Sequence, residues 1–102
     1  MISTTEIACR DKDYLGISQF LYPGDLCCVK TDSQFSIYDS RDAVVFHAID
    51  HLVSQDSFLV LAVLAGWRRR GRQFWDVLVL ARGIIGWLEL RFPEDLRCLT
   101  VL

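Results

Sequence analysis

The strongest pattern of apolar and polar positions lies between residues 58 and 90. Phe58-Leu59-Val60-Leu61-Ala62-Val63-Leu64 leads to Trp67, and a polar tip follows, Arg68-Arg69-Arg70-Gly71-Arg72-Gln73. The chain returns through Phe74-Trp75-Asp76-Val77-Leu78-Val79-Leu80, turns at Ala81-Arg82-Gly83 and continues as Ile84-Ile85-Gly86-Trp87-Leu88-Glu89-Leu90. Branched and aromatic side chains dominate these stretches, and glycines sit at the turns, which predicts a β-meander. Gly83 and Gly86 bracket Ile84-Ile85, as a tight corner and a closely packed strand require.

Elsewhere the pattern is weaker. Tyr22-Pro23-Gly24-Asp25 predicts a turn, since proline fixes φ at one position and glycine permits positive φ at the next. A strand is predicted over 26–30, a turn at Thr31-Asp32-Ser33 and a strand over 35–39. Residues 43–52 fit two patterns. Val44, Val45 and Phe46 favour a strand over 43–48 followed by a loop, whereas Val45, Ile49 and Leu52 also share a helical face with Asp42 as N-cap. Phe92-Pro93-Glu94-Asp95-Leu96 reads as a short 3₁₀ turn, and 97–102 as a closing strand. Residues 1–22 form an N-terminal extension with room for a short helix or a lid.

Alternation along the strands divides the meander into two faces. An unpaired carboxylate is costly to bury, so Asp76 is expected to face water. Phe74, Leu78 and Leu80 then share the outer face by the two-residue period, while Trp75, Val77 and Val79 point inward. On the next strand Glu89 and Arg91 mark the outer face together with Ile85 and Trp87, leaving Ile84, Leu88 and Leu90 inside. Phe74, Leu78, Leu80, Ile85 and Trp87 thus form a candidate apolar surface. It is covered either by a lid of Ile7, Tyr14, Leu15, Ile17 and Phe20 or by another protein, and the pattern supports both equally.

Composition sharpens this expectation. Hydrophobic residues make up 52% of only 102 residues, so a single small domain is expected to keep apolar surface outside, where it marks a partner. A homo-oligomer or another protein is the first partner to expect. Net charge is −2, which gives no overall basic balance for nucleic acid. Four of the 11 basic residues, Arg68, Arg69, Arg70 and Arg72, nevertheless sit in one tip beside aromatics. Guanidinium groups bind phosphates and aromatics stack bases, so a polyanion contact is the alternative use. A solvated tip that keeps an apolar meander soluble is the plainer one.

Catalytic chemistry finds little purchase. The four cysteines, Cys9, Cys27, Cys28 and Cys98, contain no CxxC pair, and reduced, buried thiols are expected. Adjacent Cys27 and Cys28 point to opposite faces of a strand. His47 and His51 would share one face of a helix but sit about 13 Å apart on a strand, too far for one metal ion. No phosphate loop, dinucleotide glycine motif or zinc-protease helix is present. No catalytic residue, metal or cofactor is assigned. No signal peptide or membrane-spanning run is visible, so an intracellular, cytoplasmic protein is expected.

The order of predicted elements resembles the SH3-like barrel, and bacterial SH3 (SH3b-type) domains in particular. The residues that carry the resemblance are Pro23-Gly24-Asp25-Leu26, Ile37-Tyr38-Asp39-Ser40, and Trp75-Asp76-Val77-Leu78-Val79 leading to Gly83-Ile84-Ile85-Gly86-Trp87-Leu88. The resemblance implies an all-β protein: an SH3-like antiparallel barrel over 23–102 behind an N-terminal extension. An Sm-like or OB-type barrel fits the strand count as well. Such barrels bind proline-rich peptides, cell-wall peptides, nucleic acid or other subunits. The expected function is a non-catalytic interaction or assembly module, with a nucleic-acid-binding barrel as the alternative. A small enzyme with a cysteine nucleophile is a third class.

Overall fold

The structure, a computed structural model, describes residues 20–41, 47–69 and 71–102, with backbone alone for 67–69. Among these residues there are seven strands and one short 3₁₀ helix. The strands are β1 (Leu26–Val29), β2 (Phe35–Tyr38), β3 (Ala48–Leu52), β4 (Ser57–Arg69), β5 (Arg72–Ala81), β6 (Ile84–Leu90) and β7 (Leu99–Val101), and the 3₁₀ helix Glu94–Cys98 precedes β7. They form one antiparallel sheet in the order β3-β2-β6-β5-β4-β1-β7. The protein is all-β, and the sheet curls into a half-barrel.

Main-chain hydrogen bonds hold the curl. The Val29 N–H donates to the Asp56 carbonyl at 2.8 Å and the Gln55 N–H to the Val29 carbonyl at 2.9 Å, tying the β3–β4 turn to the end of β1. At the other end of β1, the predicted turn at Tyr22-Pro23-Gly24-Asp25 forms. Gly24 has φ +94°, and the Asp25 carboxylate, 4% exposed, accepts the Tyr22 N–H at 2.9 Å.

The core lies on the concave side. Val77 and Val79 of β5 and Leu88 and Leu90 of β6 are essentially inaccessible, as alternation predicts. They meet Val60 and Phe58 of β4, Cys27 and Val29 of β1, Ile37 of β2 and Leu21 ahead of the first turn. At about 25 cal/mol per Å² of apolar surface, this cluster supplies most of the driving force for folding. Gly86 sits where β2 crosses β6. A Cβ there would lie 2.9 Å from the Tyr38 carbonyl oxygen and overlap the Ile37 Cγ2 methyl. Glycine is what lets the two strands close.

Three expectations change. The strand predicted over 43–48 falls largely outside the described residues, and Ile49-Asp50-His51-Leu52, expected as loop, belong to β3. Pairing decides this: Leu52 stands opposite Phe35 and is fully buried, and an extended backbone at 48–52 leaves no helical face there. Asp76 is 5% exposed rather than solvated, because it has a counter-ion. Phe20 is the one expected lid residue within the described set. It packs edge-on against Trp75 and Phe92, with centroids at 4.9 and 4.7 Å, and Trp75 and Phe92 themselves pack on the core. It therefore closes the core side and not the outer face. Ile7, Tyr14, Leu15 and Ile17 lie outside the described residues.

Candidate functional site

Strand register sorts the outer, convex face into rows that run across the strands. The first row is aliphatic. Leu26 on β1 faces Leu59 on β4, Leu59 faces Leu80 on β5, and Leu80 faces Ile85 on β6. Leu102 extends it past β7, because its N–H donates to the Leu26 carbonyl at 2.8 Å, one step beyond the Cys27–Val101 pair. With neighbouring strands about 4.8 Å apart, five such positions span about 19 Å. Leu102 is 70% exposed, Ile85 58%, Leu26 44% and Leu80 36%. Leu26, Leu59 and Leu80 have core neighbours on their own strands, Cys27, Phe58, Val60, Val79 and Ala81, so alternation itself turns these side chains outward.

The second row is half-buried: Ala62 on β4, Leu78 on β5, Trp87 on β6 and Tyr38 on β2. The third is mixed, with exposed Leu64 in register with Asp76 and Glu89. Arg41 lies across the second and third rows. Its guanidinium carbon is 5.3 Å from the centre of the Trp87 ring. Its Nε donates to Asp76 Oδ2 at 2.8 Å and its Nη2 to the Ala65 carbonyl at 3.0 Å. The side chains of Arg41 and Asp76 are 40% and 8% exposed. A solvent-open cavity of about 330 Å³, lined by Arg41, Ala65, Gly66 and Asp76, lies beside the pair.

Four of the five residues expected on the apolar surface therefore meet: Leu78, Leu80, Ile85 and Trp87 occupy adjacent rows. Phe74 shares their face but stands on the far side of Asp76, separated from Leu78 by the ion pair. Sequence reasoning missed Leu26, Leu59 and Leu102, whose place in the row follows from register. It also missed Arg41, whose partner is 35 positions away.

The arginine tip is only partly within view. Arg68 and Arg69 pair through their backbones with Gln73 and Arg72, and Arg70 lies outside the described residues. The Arg72 side chain reaches the 3₁₀ helix, with Nη1 3.0 Å from Glu94 Oε2. A second arginine builds a clamp at the β5–β6 turn. Arg82, in the β5–β6 turn at φ +49°, binds Asp50 Oδ2 and Asp56 Oδ2 at 2.7 Å each and the His51 carbonyl at 2.9 Å. The hydrogen bond from Arg82, followed by that from the His51 N–H, holds Asp50 below its ordinary value of 3.8. The Val53 N–H, followed by Arg82, does the same for Asp56. The two carboxylates, Asp50 first, raise Arg82 in turn.

Cys27 is buried, while Cys28 and Cys98 are half-buried, less enclosed than expected, and all three are free thiols. Cys9 lies outside the described residues. His47 is exposed, and exposed His51 holds Nδ1 3.3 Å from Ser36 Oγ. Among the described residues no three His, Cys, Asp or Glu side chains are grouped to hold a metal ion, and no helix is long and apolar enough to cross a membrane. Compared with models of protein families, with curated proteins and with solved structures, the chain gives no match.

Proposed function

We propose that this chain is a non-catalytic interaction or assembly module that docks a protein partner, a second copy first among them, through the convex face of its barrel. One observation carries the reading: four aliphatic side chains from four strands, with Leu102 just past β7, align in a single outer row, four of the five more than one-third exposed. Contiguous apolar surface of this kind gains free energy when covered, at about 25 cal/mol per Å². The Arg82 clamp with Asp50 and Asp56 forms at the turn that joins the strands of Leu80 and Ile85, and charged groups of this kind suit the polar rim that interfaces carry. The order of elements, with a 3₁₀ helix between β6 and β7, supports an SH3-like reading of the barrel. Among the described residues, Arg72 is the one tip arginine whose side chain is described, and it is engaged by Glu94 rather than held open for a polyanion.

Molar mass in solution, by size exclusion with light scattering at low and high salt, tests this. The wild type is expected to associate in a salt-resistant way, and Leu80→Asp or Ile85→Asp to lower its mass to the monomer. A monomer at every concentration overturns self-assembly and leaves another protein as the partner. An oligomer that persists in both variants overturns the role of this face.

A further inference from the structure

Arg41 follows β2 by three residues, yet what holds its guanidinium comes from three other strands. Trp87 of β6 offers its ring at 5.3 Å, Asp76 of β5 a carboxylate at 2.8 Å, and Ala65 of β4 a carbonyl at 3.0 Å. An aromatic face, a carboxylate and a fixed carbonyl together form the group set that recognises a guanidinium. The receiving side is the rigid side. Asp76 is 8% exposed, the guanidinium-bearing side chain 40%, and Gly66 leaves room for the carboxylate where any Cβ would stand 2.9 Å from Oδ1. The open cavity of about 330 Å³ gives access from solvent.

The geometry points to a receptor site for an arginine side chain of a partner protein, occupied in the free chain by Arg41 as an internal stand-in. The incoming guanidinium takes the Asp76 carboxylate, the Trp87 ring and the Ala65 carbonyl, and Arg41 swings into solvent. One guanidinium replaces another, so no carboxylate is left buried without a counter-ion. The internal occupant lowers apparent affinity by the fraction of time it holds the site. A lone cation therefore competes poorly, whereas an arginine beside apolar residues that also rest on Leu78 and Trp87 competes well. The site does not depend on the aliphatic row, whose test reads molar mass and not guanidinium binding.

The test is nuclear magnetic resonance titration of the wild type with butylguanidinium, below denaturing concentrations, following the Arg41 Nε–H and Trp87 indole signals. The expected result is a saturable shift of both, with the Arg41 Nε–H moving to its free position. Arg41→Ala is expected to bind the probe about tenfold more tightly, because the competitor is gone. Acetylated leucyl-arginyl-leucine amide is expected to bind the wild type more tightly than butylguanidinium does. An unmoved Arg41 signal overturns the proposal even if Arg41→Ala binds the probe, since Arg41 is then a fixed brace. An equal response to butylammonium overturns the guanidinium assignment, and equal affinity for probe and tripeptide overturns the protein source. Should Arg41→Ala not fold, the wild-type titration alone decides.

Discussion

Gly66 and Asp76 share one small volume: a Cβ on residue 66 would stand 2.9 Å from Asp76 Oδ1 and 3.1 Å from both Oδ2 and the carboxyl carbon. The absent side chain on β4 and the buried carboxylate on β5 are thus two halves of one arrangement. Gly66→Ala is expected to destabilise the fold by about 1–3 kcal/mol, as overpacking does. In an Asp76→Ala background the same substitution is expected to be nearly neutral. A double-mutant cycle by urea denaturation checks this coupling, and additivity would show that the carboxylate simply moves aside.

Arg41 and Asp76 are unequal partners. Removing Asp76 releases an arginine whose side chain is already 40% exposed, whereas removing Arg41 strips the counter-ion from a carboxylate 8% exposed. Arg41→Ala is therefore expected to destabilise more than Asp76→Ala, by about 1–2 kcal/mol, since the isolated buried charge carries the larger penalty. Urea midpoints of the two variants measured side by side give the answer.

The Arg82 clamp has a defined acid response. Asp50 and Asp56 are held below their ordinary 3.8 in the folded state. Depressed folded values mean the stabilisation is complete above pH 3.8 and is lost as pH falls through the lower folded values. Arg82→Ala is expected to flatten the decline of stability below that point. Part of it remains, because the Val53 N–H still holds Asp56. The groups are solvent-accessible, so raised salt is expected to shrink the difference between wild type and variant. Urea midpoints at about pH 6 and about pH 2.5, with and without salt, measure it.

Exposed and buried members of the same strand are expected to separate cleanly. Leu80 is 36% exposed and Val79 inaccessible. Val79→Ala is expected to cost about 1–3 kcal/mol through the cavity it leaves, with association unchanged in the folded fraction. Leu80→Asp is expected to cost about 1–2 kcal/mol, from the strand position and the part-buried side chain, while it removes association. Thermal unfolding paired with light scattering on both variants reads the two effects together.

Much of the sheet is legible from alternation, because β5 and β6 bury one face and expose the other at every second residue. The inward places of Val77, Val79, Leu88 and Leu90 follow directly. Ile49–Leu52 reads as loop in the sequence because the burial pattern of Ala48–Leu52 is set by pairing with β2 rather than by its own periodicity. Asp76 was misread for a related reason. A carboxylate between Trp75 and Val77 looks solvated until its counter-ion is known, and Arg41 is remote in sequence. The candidate surface was half legible: Leu80 and Ile85 come from one hairpin, whereas Leu26, Leu59 and Leu102 join them only through registers that no local pattern states.

The aliphatic row draws Leu26, Leu59, Leu80 and Ile85 from four different strands and Leu102 from the end of β7, and the strand neighbours of Leu59 and Leu80 are core residues. The surface is thus addressable one letter at a time. A change at 26, 59, 80, 85 or 102 repaints one stripe of the exterior about 4.8 Å wide and leaves the interior wording of the chain untouched. Descendants of such a barrel are free to exchange one partner for another by single substitutions, with the fold itself held constant beneath.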